Sequence, residues 1–236
     1  MAATDGSTHV VAGSRPWNRP AFDRFRATRP PGEHWEFVAA PGELEPRLRA
    51  VDPRYVFFLH WSSIVPARVT DRWECVCFHM TDVPYGRGGS PLQNLILRGH
   101  RETVLTALRM TDELDAGPVY DKRPLSLAGT AQAVYERATE LSLAMAAGIV
   151  DAQPEPVPQE GPVTRFARRT PAESRLPSEG TVDDLYDFIR MLDADGYPRA
   201  FVEHGGVRLE LGDARRVDGH LEARVMLTVP GDGAAP

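Results

Sequence analysis

Short apolar runs alternate with segments of helical periodicity over the first 150 residues of the chain. The runs are rich in Val, Phe and Leu and are bounded by polar or turn-forming residues, as is typical of buried strands. The predicted strands are 9–13, 35–39, 55–61, 76–80, 103–110 and 119–127, and the predicted helices are 20–26, 43–51, 91–98 and 130–150. Because regular alternation of strands and helices favours a parallel sheet, the pattern predicts an α/β fold with a Rossmann-like, mostly parallel sheet flanked by helices.

The pattern changes after residue 150. Residues 151–163 read DAQPEPVPQEGPV, a mixture of Pro and polar residues that favours an extended linker. Beyond it, a helix is predicted at 182–192 and strands at 200–203, 207–211 and 221–229, which are too few for a closed barrel. The predicted division is an α/β domain at 1–150, a Pro-rich linker at 151–163 and a small α+β region at 164–236.

Candidate chemistry is concentrated between residues 75 and 117. The run 76–80 delivers His79 to the carboxyl end of a strand, where ligands of open α/β sheets bind. A turn follows at Gly86-Arg87-Gly88-Gly89, and Ser90-Pro91 has the form of a helix start. Asp115 lies in the loop after the strand 103–110. If the ends of both strands meet at one edge of the sheet, His79 and Asp115 share a cleft.

The landmarks of this region, taken in order, resemble those of the folate-dependent formyltransferases. They are His79, Pro84, Arg87-Gly88, Pro91, Gly99, Met110 and Leu114-Asp115-x-Gly117. That family includes the methionyl-tRNA, glycinamide ribonucleotide and amino-sugar formyltransferases. Two later segments, Arg168-Arg169-Thr170-Pro171 and Tyr197-Pro198-Arg199-Ala200-Phe201, resemble the amino-sugar members. The resemblance implies transfer of a formyl group from 10-formyltetrahydrofolate to the primary amine of a small metabolite, such as a nucleotide-linked amino sugar.

The resemblance also implies catalytic roles. His79 would donate a hydrogen bond to the developing oxyanion and carry a proton, and Asp115 would orient the imidazole. Members of the family carry Asn-x-His at the strand end, whereas this chain has Cys77-Phe78-His79. A thiol is a weak donor, so either Cys77 lines the site without that function or another side chain replaces the amide. The candidates for replacement are Gln93, Asn94 and Thr81.

A second set of residues is implied to hold the folate. The segment after the third strand, Ser63-Ile64-Val65-Pro66, matches the position at which the family walls the pterin ring. Arg87, Gly88, Asp112 and Leu114 complete this set. For Arg87 two interpretations stay open: it pairs with a carboxylate of the ligand, or it ties its loop to the protein.

Composition and charge restrict the partners. The formal net charge of −6 gives no overall attraction to phosphate backbones, so no nucleic acid partner is expected. No apolar run is long enough to span a membrane, and MAATDGSTHV lacks the charge-then-apolar order of a leader, so the expected location is the cytoplasm. Cys75 and Cys77 are near neighbours on one strand, so neither a disulfide nor a metal site is expected.

Two other functions are compatible with the same residues. A site that does not hold an amine would admit water and act as a hydrolase that releases formate. A chain that has lost the family Asn could also be a non-catalytic folate-binding protein. The small 164–236 region, a poor independent core, is expected to pack on the first domain or on a second copy in a homodimer.

Overall fold

The computed structural model describes residues 7–228. These residues form two compact units. The first contains the chain up to Gly88 together with Thr103–Leu125 and Glu136–Arg165. The second contains Gly89–Glu102, Ser126–Tyr135 and the chain from Phe166 onward. The predicted boundaries at 150 and 164 therefore differ from this grouping, because two short segments of the predicted first domain group with the C-terminal residues.

The first unit is built on a six-stranded sheet. Its strands are β1 (Thr8–Gly13), β2 (His34–Val38), β3 (Tyr55–Leu59), β4 (Glu74–His79), β6 (Glu102–Arg109) and β7 (Val119–Ser126). Between Gly86 and Gly89 lies the short strand β5 (Arg87–Gly88). The order across the sheet is β2-β1-β3-β4-β6-β7. β1 pairs in parallel with β2 and β3, and β3 pairs in parallel with β4. The predicted mostly parallel α/β fold is thus confirmed.

The strands of this sheet are apolar because helices cover it. They are α1 (Asn18–Arg26), α2 (Pro41–Val51), the short α3 (Ala67–Thr70) and α5 (Ala131–Ala152). The remaining helix of this region, α4 (Pro91–Leu97), belongs to the second unit. All five residues of β3 are buried, as expected for a strand covered on both faces. On one face, Leu44 and Leu48 of α2 join a cluster with Val10, Val56 and Cys75. This face leads along β4 to His79.

Strand β6 differs from the parallel strands in its direction. β6 runs antiparallel to β4, with Val76 opposite Arg109 and His79 opposite Thr106. The end of β6 therefore lies beside the start of β4, and Met110 N–H donates to the Cys75 carbonyl at 2.8 Å. The expectation that two strand ends bring His79 and Asp115 together at one edge was wrong, because only one of the two strands ends there.

The second unit holds a three-stranded antiparallel sheet in the order β11-β10-β9. Its strands are β9 (Ala200–His204), β10 (Val207–Val217) and β11 (His220–Thr228), and Val229 of the predicted last strand lies outside the described residues. Helix α6 (Val182–Arg190) packs on β10 and β11. It begins with a capping box, in which Thr181 and Asp184 bond each other's backbone N–H groups. Phe188 and Ile189 of this helix are buried.

Residues 153–165 are the clearest departure from the expected linker. Val157 pairs with Val119 through two backbone hydrogen bonds of 2.7 and 2.8 Å. Thr164 accepts from the N–H groups of Gly86 and Arg87, and the chain continues into β8 (Arg165–Phe166). A Pro-rich composition indicates an extended backbone but does not reveal whether that backbone is free or bonded to its neighbours.

Candidate active site

His79 lies at the carboxyl end of β4 and is buried. Its Nε2 lies 2.8 Å from the carbonyl oxygen of Gly86, which can only accept, so Nε2 carries the hydrogen. The turn that supplies this carbonyl needs Gly86, whose φ of 75° is in the left-handed region. Because Nε2 is used in this way, Nδ1 is the ring nitrogen left for other contacts.

Asp115 faces that nitrogen. Its Oδ1 lies 3.5 Å from His79 Nδ1, and each of the two side chains is only 9% exposed. Its other oxygen, Oδ2, accepts from the backbone N–H of Gly88 at 2.9 Å. A carboxylate held in this way can orient the ring and stabilise a proton on Nδ1. The predicted juxtaposition of His79 and Asp115 is present, although the strand directions behind the prediction were not.

The loop from Met110 to Pro118 brings Asp115 back along the sheet to His79. Asp115 itself has a φ of 55°, a conformation that Asp tolerates better than most residues because its short side chain bonds locally. At Gly117, an added Cβ would lie 1.8 Å from the carbonyl oxygen of Arg109, so the close return of the chain requires glycine. Arg109 N–H then donates to the Pro118 carbonyl at 2.9 Å.

Gln159 supports this loop, although no motif or periodicity singles it out. Its Nε2 donates to the carbonyls of Asp115 and Gly117, both at 2.8 Å. Its Oε1 accepts from Arg87 Nε at 3.0 Å and from Arg87 Nη2 at 2.8 Å. A single Gln inside a Pro-rich stretch carries no periodic signal, so its position could not be anticipated from local pattern.

Cys77 lies on the same face of β4 as His79 and packs against the cluster formed with α2. Burial raises the pKa of the Cys77 thiol above its ordinary value, and the charge of Asp115 raises it further. The thiol therefore stays protonated at neutral pH and is not an activated nucleophile. Cys75 and Cys77 are both free thiols.

The side chains predicted as alternative oxyanion donors are engaged in other bonds. The Asn94 Nδ2 lies within 3.2 Å of three carbonyl oxygens, those of Gly89, Ser90 and Ala167, which account for its two hydrogens. The buried Gln93 Nε2 donates to the Tyr135 hydroxyl and the Met191 carbonyl. The fully buried Thr81 hydroxyl donates to Gly86 O at 3.4 Å. None of these contacts supports a role as the oxyanion donor.

The residues implied to hold the folate range from exposed to buried. Ser63 and Asp112 are exposed, and the apolar Ile64 and Leu114 are 95% and 66% exposed. Val65 and Pro66 are half-buried, with Val65 packed against the core.

Arg87 is buried and Gly88 is half-buried. Besides Gln159, the Arg87 guanidinium lies 3.6 Å from Glu113, and the Gly88 N–H is bonded to Asp115. These contacts favour the interpretation of Arg87 as a residue that ties its loop to the protein.

His60, at the end of β3, forms a second polar cluster at the carboxyl edge of the sheet. Its Nδ1 lies 3.3 Å from the Thr139 hydroxyl and 3.5 Å from the buried Asn18 amide. The Ser14 hydroxyl donates to the His60 carbonyl at 3.0 Å. Burial lowers the pKa of His60 to about 4, and the positive charge of Arg15 lowers it further. His60 is thus neutral at physiological pH.

A groove of about 470 Å³ lies elsewhere, along the edge strand β2. Its lining includes Arg19, Trp35 and Arg47 but neither His79 nor Asp115. Arg19 and Arg47 are paired with Asp23 and Glu36. Since Arg19 and Arg47 are already paired with carboxylates, His79 with Asp115 remains the better candidate.

The described residues include no helix long and apolar enough to cross a membrane. Within residues 7–228 no group of three or more His, Cys, Asp and Glu side chains could hold a metal ion.

Comparison with known proteins identifies the family. A sequence profile described as the methionyl-tRNA formyltransferase C-terminal domain matches residues 171–228. The solved methionyl-tRNA formyltransferase from Clostridium thermocellum is 36% identical and superimposes with a TM-score of 0.92, over 94% of this chain and 99% of that one. The chain belongs to the formyltransferase family.

More distant relatives show how far this likeness extends. The methionyl-tRNA formyltransferase of Bacillus pumilus is 28% identical over 72% of this chain, which spans 56% of that protein's length. A sugar N-formyltransferase from Shewanella is 15% identical, with a TM-score of 0.65 over 93% of this chain and 97% of that one. At that identity the likeness shows the fold alone.

These relatives correct one expectation. The net charge of −6 predicts no nucleic acid partner, but proteins named methionyl-tRNA formyltransferases match most of the chain. The prediction was wrong because net charge averages over the whole surface, whereas a nucleic acid is bound by local groups.

Proposed function

We propose that the protein transfers the formyl group of 10-formyltetrahydrofolate to a primary amine. The observation that carries this proposal is the buried pair formed by His79 Nδ1 and Asp115 Oδ1 at 3.5 Å, in a member of the formyltransferase family. Such a pair can hold and move one proton, and formyl transfer requires a proton to move.

The reaction requires one bond to form, one to break and one proton to move. The neutral amine attacks the formyl carbon, and the carbon–nitrogen bond to the folate then breaks. One amine proton must leave and one must reach the departing nitrogen. His79 Nδ1 can accept the first proton and return it, while Nε2 stays anchored on Gly86. Asp115 stabilises the charged ring between the two transfers.

The developing oxyanion needs a donor as well. With Cys77 in place of the family Asn and with the Asn94, Gln93 and Thr81 donors bonded elsewhere, His79 is the remaining candidate. Once protonated, Nδ1 carries a hydrogen that it can donate to this oxygen. The same nitrogen would then serve both as donor and as proton carrier.

Two of the segments predicted to bind folate carry apolar surface that suits this cosubstrate. When bound, 10-formyltetrahydrofolate supplies an activated formyl carbon. Ile64 and Leu114 expose apolar surface on two of the segments predicted to bind it, and Pro66 stiffens the first of them. Apolar side chains of this kind can pack against a flat ring system such as a pterin. In this proposal Ser63, Val65 and Asp112 belong to the same binding surface.

For the acceptor, the first candidate is the amine of methionyl-tRNA. The names of the relatives support it, as does the match of residues 171–228 to the C-terminal domain of such enzymes.

A nucleotide-linked amino sugar is the second candidate. It is supported by the resemblance of Arg168-Arg169-Thr170-Pro171 and Tyr197-Pro198-Arg199-Ala200-Phe201 to the amino-sugar members of the family.

The test is a set of parallel assays with 10-formyltetrahydrofolate and the purified chain. One receives methionyl-tRNA, one receives nucleotide-linked amino sugars, and one receives no amine. Formylated product in either of the first two supports the proposal and selects the acceptor. Formate release without amine would indicate the hydrolase instead, and folate binding without any turnover would indicate a non-catalytic protein.

Variants assign the roles in the same assay. His79→Ala and Asp115→Asn should each lower kcat by roughly 10²- to 10⁴-fold, the range for loss of a general acid–base group. The exposed His34 and Asp71 provide matched controls, since His34→Ala and Asp71→Asn should leave kcat unchanged. Wild-type kcat in either site variant would show that the pair does not carry the proton.

A further inference from the structure

The segment 153–165, here called the strap, joins two loops of the candidate site. It bonds to Val119 through Val157, to the 84–87 turn through Thr164, and to the 115–117 loop through Gln159. The first of these loops supplies the Gly86 carbonyl that holds His79, and the second supplies Asp115. A segment that bonds both loops can determine how the two groups face each other.

Gln159 makes the side-chain contacts of the strap that reach Asp115. Its two amide hydrogens are directed at the carbonyls of Asp115 and Gly117, and its oxygen accepts twice from Arg87. All of the strong hydrogen-bonding capacity of the amide is therefore used within the site loops. Of the uncharged side chains, Gln and Asn alone both donate twice and accept twice, and Asn is one methylene shorter.

The contact to the Asp115 carbonyl falls on a residue with an unusual backbone. With a φ of 55°, Asp115 depends on its surroundings to stay in the left-handed region. Rotation of this peptide would redirect the side chain and change the 3.5 Å separation between Oδ1 and His79 Nδ1. Gln159 therefore acts on the carboxylate through the main chain that bears it.

We infer that Gln159 is a positioning residue for formyl transfer, which holds the Asp115 carboxylate against His79 without touching the substrate. The inference rests on the proposed function, since it assigns Gln159 a share in that reaction. Arg87 contributes to this positioning, because its two hydrogen bonds to the Gln159 oxygen fix the orientation of the amide. The two amide hydrogens then face the 115–117 loop.

Two substitutions distinguish the bonds that Gln159 donates to the 115–117 loop from the bonds that it accepts from Arg87. Gln159→Leu removes all four bonds at nearly constant volume. Gln159→Glu keeps an acceptor for Arg87 but has no hydrogen for the two carbonyls. If the bonds to Asp115 and Gly117 are the important ones, both variants should lower kcat by roughly 10- to 100-fold, the scale expected for a misplacement of about 1 Å. The KM for 10-formyltetrahydrofolate should change by less than about threefold, because ground-state binding is not involved.

The control is the neighbouring Glu160→Leu, at an exposed position, which should match the wild type. A double-mutant cycle with Asp115→Asn tests for a merely structural role. If Gln159 acts through Asp115, then adding Gln159→Leu to Asp115→Asn should cost less than about threefold further, because the group that it positions is already gone. Multiplication of the two losses would overturn the inference, as would wild-type kcat in Gln159→Leu.

A measurement that needs no turnover separates this inference from the proposed function. Hydrogen–deuterium exchange of the amides in residues 112–117 should be faster in Gln159→Leu than in the wild type and in Glu160→Leu. If the wild type transfers no formyl group but exchange is faster, the proposed function fails and the positioning contact stands. Unchanged exchange in Gln159→Leu would overturn the inference whatever the activity.

Discussion

His79 stands at the end of a regular buried strand, whereas Asp115 stands in a loop that leaves its own strand at the far end of β4. The first position is set by pairing with β3 and β6 along the whole strand. The second is set by a few single contacts: the Gly88 N–H, the Gln159 amide and the close approach of Gly117 to Arg109. One half of the site is thus held by many cooperative bonds and the other by a small number of separable ones.

This difference predicts where the site is fragile. Substitutions beside His79 should change kcat little, because the sheet holds the strand in place. Even small substitutions in the 110–118 loop should lower kcat strongly. Three further variants examine this comparison.

The largest effect is expected from Gly117→Ala. The new methyl group would lie 1.8 Å from the Arg109 carbonyl oxygen, so the loop must move and carry Asp115 with it. We expect kcat to fall by roughly 100-fold and the free energy of unfolding to fall by about 1–3 kcal/mol, as measured by denaturation. At Gly42 an added Cβ meets nothing within 4 Å, so Gly42→Ala is the control. Equal behaviour of the two variants would contradict the account of the loop.

An intermediate effect, on the pH dependence of stability, is expected at His60, which directly follows strand β3. The folded-state pKa of His60 is about 4, below its ordinary value of 6.5. The unfolded chain therefore binds a proton more readily between these pH values, and stability falls as pH falls through that window. Between pH 7 and pH 5 the loss should be roughly 1–2 kcal/mol from this group.

The variant His60→Asn tests this pH dependence. Asn does not titrate and tolerates the positive φ of 45° at this position. Denaturant melts at pH 7 and pH 5 should show a smaller loss in the variant than in the wild type. An identical loss in both proteins would assign the pH dependence to other groups.

The smallest effect is expected from Cys77→Ala. The thiol is half-buried on β4, and its raised pKa keeps it protonated and weakly bonding. We expect kcat to change by less than about threefold, since a thiol is a weak donor, and the free energy of unfolding to fall by about 1 kcal/mol from lost packing. A large loss of kcat would mean that Cys77 takes the place of the family Asn after all.

The same comparison explains what could be predicted from sequence. The strands and long helices follow from apolar periodicity, and β1, β3 and α5 lie within two residues of their predicted ends. The direction of β6 could not be predicted in this way, because an apolar run does not encode whether its partner is parallel. The pairing of His79 with Asp115 was predicted from two strand ends at one edge and from the resemblance, and the antiparallel β6 removes the first of these two grounds.

The supporting residues were less accessible to prediction. Gln159 lies 44 positions from the Asp115 carbonyl that it bonds, inside a stretch read as a linker. Composition describes the average conformation of such a stretch and says nothing of one side chain's partner. The proposed roles of Arg87 and Asn94 changed for a similar reason, since each is bonded to groups distant in sequence.

The reversed direction of β6 also limits the length of the connection that follows it. Met110 is tied to Cys75 and Asp115 to His79, points about 13 Å apart along a strand that rises about 3.3 Å per residue. Five residue steps separate Met110 from Asp115, and a fully stretched chain covers at most about 17–18 Å in that number. Roughly one residue of slack is left. Deleting two residues between Met110 and Asp115 would make the chain too short for the Asp115 carboxylate to reach His79. An inserted residue would only bulge into solvent.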